Sequence, residues 1–510
     1  MEEKCLKAPV YTFETVLKDS AEVPVDIDFN LPDYCPEVSR ILKCRAIARI
    51  SSKSAEGRSI TVDGSVTVTV IYSDESNTLN SYEYQYPFSK NFESAEDVSG
   101  AVIKARAKCE YINCRAVTER KIDIHGAVGV YVTAQNRKMR EIICDVGDEN
   151  IEVLRSSAPA TMPVSQAEKY ILLEEEIDIG NSQPDIRCLI RYDAAVSVSE
   201  CKVLAGKAMI KGETVVNLLY CTEQGEAQPL DSKIPFSQLI ELEGAGEDCE
   251  CETEAYIAYL EVKPKFNSSG ESRSFSLDGK ICLKAEAYCD NDVEVITDAY
   301  SRKYDSQILS EDICFNKMVS NIKDEFNCKE RIELSDGALS RIEDLWCEVK
   351  SENAVFEGDC LVTSGTVSAN IIAADEAGTP AYYEKPIEYT YRYKLPVNGE
   401  NLRADVSVIV LSSSYNIAGD HSVEIKPQMA IDAKIYECKT VSLVNDIKID
   451  ENKPIDRAGR GAMTVYFAES GEKIWDIARK YLADISEVKR LNDIENDTLS
   501  GDTMILLPAN

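Results

Sequence analysis

The chain matches itself at a constant offset, and that repeat limits the folds open to it. With 148 residues between copies, Pro36 falls on Pro184, Ala46 on Ala194, Ser51 on Ser199, Gly64 on Gly212, Val68 on Val216 and Tyr72 on Tyr220. Pro87-Phe88-Ser89 falls on Pro235-Phe236-Ser237 with no gap. A fainter third copy lies 153 residues further on, where Gly212 meets Gly365, Ile186 meets Leu339 and Leu189 meets Ile342. Its Pro-Phe signal is lost, and Pro386-Ile387 is its nearest counterpart. Three units of about 150 residues are therefore expected, because a repeat of this length is a whole structural unit.

Each unit reads as strands. TVDGSVTVTVIY at 61–72 alternates and is rich in β-branched residues, and KGETVVNLLY and SGTVSANIIA do likewise. Partner strands follow at 81–88, 230–236 and 381–391, and later runs end in Gly-, Asn- and Ser-rich turns such as NSSGES and AGDH. A helical turn is expected at PEVSRIL and PDIRCLI, since proline at a first helical position beside an acid suits a helix start. The fold class is mostly β, with three tandem units built as antiparallel sandwiches or partial barrels. The expected units are 1–150, 160–303 and a divergent 314–444, then a polar linker at 445–462 holding Arg457, Gly459 and Arg460, and a last domain at 463–510.

That last domain reads β-α-α-β. Thr464 to Phe467 is a β run, and Ile474, Ile477, Ala478 and Tyr481 share one helix face. Val488 and Leu491 mark a second helix, and Gly501-Asp502 turns the chain into Met504–Leu507. The pattern resembles a LysM module through Val465, Gly471, Ile474, Trp475, Ile477, Ala478, Leu491, Asn492, Leu499, Gly501, Ile505 and Pro508. The resemblance implies binding of N-acetylglucosamine polymers through a Gly-Asp-Thr turn, but here the turn is Gly471-Glu472-Lys473. Trp475 is either core packing or an exposed binding anchor.

Catalytic chemistry has little to work with. His125 and His421 are the two histidines, they lie in different units, and both read as surface or turn residues. No Gly-x-Ser-x-Gly elbow or phosphate-binding loop is present in the sequence. Glu174-Glu175-Glu176 reads as a solvated strand edge. The 18 cysteines are scattered without zinc-ligand spacing and are expected to be reduced thiols packed as small hydrophobes, with oxidative cross-linking as the rival reading. A net charge of −33, from 56 basic and 89 acidic residues, disfavours nucleic acid and anionic membrane. The start MEEKCLKAPVYTFE has no apolar signal core, so a cytosolic protein is expected.

The tandem units, with Pro36-Glu37-Val38, Pro184-Asp185-Ile186 and the Gly64, Gly212 and Gly365 strands, followed by the LysM-like end, resemble the SPOCS-domain sporulation proteins of clostridia. Gly337 stands where unit three would carry its proline. The resemblance implies a non-enzymatic scaffold of spore coat assembly in the mother cell, at the forespore surface. It implies that the LysM-like domain binds the coat's basal ATPase, stage IV sporulation protein A, with other coat proteins as further partners. No cofactor, metal or membrane insertion is expected. The expected partner face comprises Trp475, Ile474, Met463, Leu491 and Asn492, with Trp475→Glu abolishing binding while the domain stays folded. The alternative is a peptidoglycan- or N-acetylglucosamine-binding protein of the spore envelope, and a wall hydrolase is weaker still.

Overall fold

The computed structural model describes residues 5–180, 183–268, 270–334, 339–396, 401–418, 422–456 and 463–508. Gly337, His421, Arg457, Gly459 and Arg460 lie outside them. The first unit holds β1 (Cys5–Asn30), β2 (Arg40–Glu56), β3 (Ser59–Ser73), β4 (Leu79–Glu93), β5 (Val102–Ala116) and β6 (Lys121–Val146). The second holds β7 (Ile151–Asp178), β8 (Ile186–Leu204), β9 (Lys207–Thr222), β10 (Ala227–Glu241), β11 (Glu250–Phe266) and β12 (Ser272–Ser301). The third holds β13 (Tyr304–Asn327), β14 (Glu330–Glu333), β15 (Leu339–Glu357), β16 (Cys360–Asp375), β17 (Pro380–Lys394), β18 (Leu402–Ile417) and β19 (Ser422–Pro454).

Every unit pairs these strands into two antiparallel sheets. The orders are β1-β6-β5 with β2-β3-β4, β7-β12-β11 with β8-β9-β10, and β13-β19-β18 with β15-β16-β17. The alternating apolar residues of the two sheets face one another, so each unit is a sandwich with its own core. Among the described residues no sheet closes into a barrel.

The repeated glycine has a steric cause. Gly64, Gly212 and Gly365 each sit in the middle strand of a sheet, opposite a bulge in the first strand. A Cβ there would collide with the bulged strand's carbonyl, of Arg49, Ser197 or Ser351. The cross-strand partners are Phe88, Phe236 and Tyr389, whose rings cover the bare backbone. Unit three thus keeps its aromatic as Tyr389, and Pro386-Ile387 is not its counterpart.

Three further expectations are corrected. PEVSRIL and PDIRCLI form no helical turn. Val38 is buried, and its N–H donates to Glu119 O at 2.8 Å; Ser39 N donates to Ser73 O at 2.9 Å, so cross-strand bonds outcompete a local turn. The span 445–454 is the end of β19, paired with β13, rather than linker. The gaps expected between units, at 151–159 and 304–313, fall inside β7 and β13.

The outer strands are long because they leave the sandwiches. Past each core, β1 with β6, β7 with β12 and β13 with β19 continue as two-stranded arms. The arms share an apolar seam of Ile142, Ala158, Val295, Phe315 and Leu443, with Ile143, Ile296 and Val444 beside it. At the sandwiches the units close a ring: β4 packs on β8, β10 on β15 and β17 on β2. The repeat-equivalent residues Ile71, Leu219 and Ile372 meet in one buried cluster, which places a pseudo-threefold axis there.

After the third unit comes a small module of β20 (Met463–Ala468), α1 (Ile474–Tyr481), α2 (Ile485–Leu491) and β21 (Thr503–Pro508). β20 and β21 pair antiparallel. Asp484 caps α2 by accepting from Glu487 N at 3.0 Å.

Candidate functional site

The module turns three sides in three directions. Its own core takes Ile474, Ile477, Val488, Leu499, Ile505 and Leu507. Ile474 is buried in that core, on the helix face expected from its spacing.

A second side docks on the arm of unit two. Trp475, read from the sequence as either core packing or an exposed anchor, is 7% exposed. Its ring meets Tyr300 edge-on at 5.2 Å, and Nε1 donates to Asp298 at 2.9 Å. Ala478 and Leu482 pack beside it. Arg479 pairs with Asp298 at 2.6 Å, Arg302 pairs with Asp484, and Tyr300 OH donates to Ala483 O at 2.6 Å. The helix is apolar on two sides, and the sequence alone shows the second side without its occupant.

The third side is open. Phe467 lies opposite Met504, Val465 opposite Leu506 and Met463 opposite Pro508, so all six share one face of the two-stranded sheet. Phe467 is 77% exposed, Met504 53%, Met463 51% and Val465 47%. Leu491 is half exposed at the end of α2. Asn492 is occupied internally: its amide donates to Val488 O and Leu506 O, both at 2.8 Å, and accepts from Leu506 N at 2.7 Å. The five expected site residues therefore divide. Met463 and Leu491 are exposed, while Ile474, Trp475 and Asn492 hold the module together or hold it to the body.

In the Gly471-Glu472-Lys473 turn, Gly471 has φ +94, where a side chain would be strained. Glu472 accepts from Tyr466 OH at 2.9 Å and from Glu469 N at 3.0 Å, so its carboxylate braces the turn. His125 sits on an exposed face between Asp26 at 2.8 Å and Asp123 at 3.1 Å; its hydrogen bond to the Asp26 carboxylate and the charge of Asp123 hold its pKa up. Glu174 to Glu176 lie on β7, an edge strand, with Lys265 paired to Glu176.

The sequence reading missed a charged joint on the pseudo-threefold axis. Arg45 binds Asp193 through two hydrogen bonds of 3.0 and 2.6 Å and lies 3.4 Å from Glu348. Arg191 binds Asp344 through bonds of 2.7 and 2.8 Å, and both members are buried. The Arg45 and Arg191 guanidiniums lie 5.6 and 5.0 Å from the ring centre of buried Trp346. Arg45, Asp193 and Trp346 occupy one repeat position, as do Lys43, Arg191 and Asp344. The available signal was opposite charge at equivalent positions: like charges facing one axis would repel.

The cysteine expectation holds for fourteen cysteines, which are free thiols, and is corrected for four. Cys201–Cys251 and Cys249–Cys289 are disulfides, with Cα atoms 6.0 and 4.7 Å apart. The sandwich brings β8 against β11, and the β11–β12 pairing sets Cys249 beside Cys289. Among the described residues no helix is long and apolar enough to cross a membrane.

Comparison with known proteins agrees with the repeat. A family model described as SipL, SPOCS domain matches residues 37–117 and 161–265, which span β2 to β5 and the middle of β7 to β11. No curated protein matches the chain. With that model matched in its first two units, the chain is a SPOCS-domain sporulation protein, related to the spore coat, that resembles SipL.

Proposed function

We propose that the chain is a non-catalytic adaptor of spore coat assembly whose LysM-like C-terminal module recruits a protein partner. The observation that carries this reading is the open apolar sheet face of Met463, Val465, Phe467 and Met504. Large apolar side chains left together in water mark an interaction surface. The three joined units serve as the platform, and a platform with a separate recruiting module raises the local concentration of what it binds. By resemblance to SipL, the partner is the coat's basal ATPase, stage IV sporulation protein A, met in the mother cell at the forespore surface.

Titrating the full chain with that ATPase tests the reading. Phe467→Asp is expected to weaken binding by at least about thirtyfold, the size of a lost hot-spot aromatic at ~2 kcal/mol. Phe467 is largely exposed, so the fold tolerates the change. Soluble N-acetylglucosamine oligomers form the second arm. Saturable binding to them with none to the ATPase would return the module to glycan recognition.

A further inference from the structure

Beyond recruitment, the chain carries a thiol pair at the joint between its units. Cys188 on β8 and Cys221 on β9 are direct cross-strand partners, one residue past a bulge. Cys221 is fully buried, and Cys188 is half-buried. Both belong to the cluster in which the three units meet, beside Leu79, Ile190, Leu219 and Ile372. The Arg187 guanidinium lies 3.3 Å from the Cys221 sulfur. The same guanidinium nitrogen reaches into unit one, donating to Leu79 O at 2.9 Å and Asn80 Oδ1 at 3.1 Å.

We propose that Cys188 and Cys221 form a redox-active dithiol site, with Cys221 as the attacking thiol and Cys188 as the resolving thiol, closed by a small hydroperoxide. Cys188 is the cross-strand neighbour of Cys221, and the Arg187 cation stands against the Cys221 sulfur, whose thiol donates to Thr222 O at 3.6 Å. The side-chain hydrogen bond with Cys188 and the Arg187 cation outweigh burial and hold the Cys221 thiol below the ordinary range, while Cys188 is raised. A thiolate held by a cation beside a second thiol is the arrangement that reactive cysteines share. Glu343 also faces this corner, and its negative charge acts against the thiolate, whereas Asp74 stabilises the Arg187 cation. The burial of Cys221 selects an oxidant of water's size over a bulky disulfide.

The chemistry balances. The Cys221 thiolate attacks one oxygen of hydrogen peroxide; the O–O bond breaks, giving a sulfenic acid and a hydroxide that is protonated to one water. The Cys188 sulfur then attacks the sulfenic sulfur, an S–S bond forms, and the hydroxyl leaves with the Cys188 proton as a second water. Two thiols are oxidised by two electrons, and one hydroperoxide is reduced. The new bond ties β8 to β9 and takes the thiolate away from Arg187, whose remaining contacts are with unit one.

The test treats the reduced full chain with hydrogen peroxide, blocks free thiols and maps cross-linked peptides by mass spectrometry. A Cys188–Cys221 peptide is expected. Cys188→Ser should leave a dimedone-reactive sulfenic acid on Cys221, whereas Cys221→Ser should leave none on Cys188. Arg187→Met should slow closure about tenfold, and Arg187→Lys should restore most of the rate. The proposal is overturned if both thiols stay alkylatable under conditions that oxidise the unfolded chain, or if closure proceeds equally fast in Arg187→Met.

Discussion

The three units are joined twice, by opposite means. At the sandwiches the joint carries an ionic network, Arg45 on Asp193 and Arg191 on Asp344 around Trp346, beside the apolar cluster of Ile71, Leu219 and Ile372. At the arms it is apolar, with Val295, Phe315 and Leu443 closing the seam. The apolar seam gains from any close packing and fixes little else. The ionic joint gains little net energy, because desolvating both charges offsets their attraction, but it discriminates strongly against a wrong partner. With three similar units in one chain, the ionic joint specifies which unit meets which, and the seam supplies cohesion.

Breaking the ionic joint on one side carries the largest expected effect. Asp344→Ala removes the buried partner that takes two hydrogen bonds from Arg191 and leaves the cation to Asp193, and a loss of about 3–5 kcal/mol is expected in urea unfolding. Replacing both partners, Arg191→Met with Asp344→Leu, is expected to return most of that stability while loosening the choice of neighbour. If the double variant is as damaged as the single one, the pair contributes cohesion and the comparison fails.

Next comes the seam. Leu443→Ala removes a buried side chain between arms, and about 2–5 kcal/mol should be lost by the same measurement. No second substitution on a facing arm should rescue it except one that refills the volume.

The C-terminal module offers a smaller break. Trp475→Ala removes the ring from Tyr300 and the bond to Asp298. Undocking costs about 2 kcal/mol at such an anchor. Limited proteolysis should then cut between 456 and 463 sooner, with the unfolding midpoint of the body unchanged. Trp475→Glu should undock the module further, since it would set a carboxylate against Asp298.

Acid distinguishes the joints most gently. Burial pushes the Asp193 carboxyl up, but the Arg45 and Arg191 guanidiniums outweigh it and hold it low. A depressed carboxylate contributes stability above its unfolded value of about 3.9, lost as pH falls through the folded value. Hydrogen exchange below about pH 4 should therefore open β2 and β8 before the arms, whose seam is packed mainly from apolar side chains.

Much of the fold was legible. Alternation located the sheet strands, and the recurring Gly64, Gly212 and Gly365 located the units, because a bulge and a covering aromatic permit no side chain there. The arms were not legible. RSSAPATMP and NDIKIDENKP look like linkers because their strands are two-sided and solvated, and the register pairing them lies far off in sequence. For the site, helix spacing gave the module core at Ile474 and Ile477. It gave nothing on whether Trp475 faces solvent or the arm, since an apolar residue on an outer helix face reads the same either way. Phe467 and Met504 were passed over because alternation in a short strand does not say which side is covered.

The most direct test of the adaptor account is the affinity of the full chain for the coat's basal ATPase, measured for Phe467→Asp beside Tyr34→Asp. Tyr34 is 82% exposed on the first unit and serves as the control. The account predicts that Phe467→Asp loses at least about thirtyfold while Tyr34→Asp binds as the unaltered chain does. Unchanged binding by Phe467→Asp would contradict it.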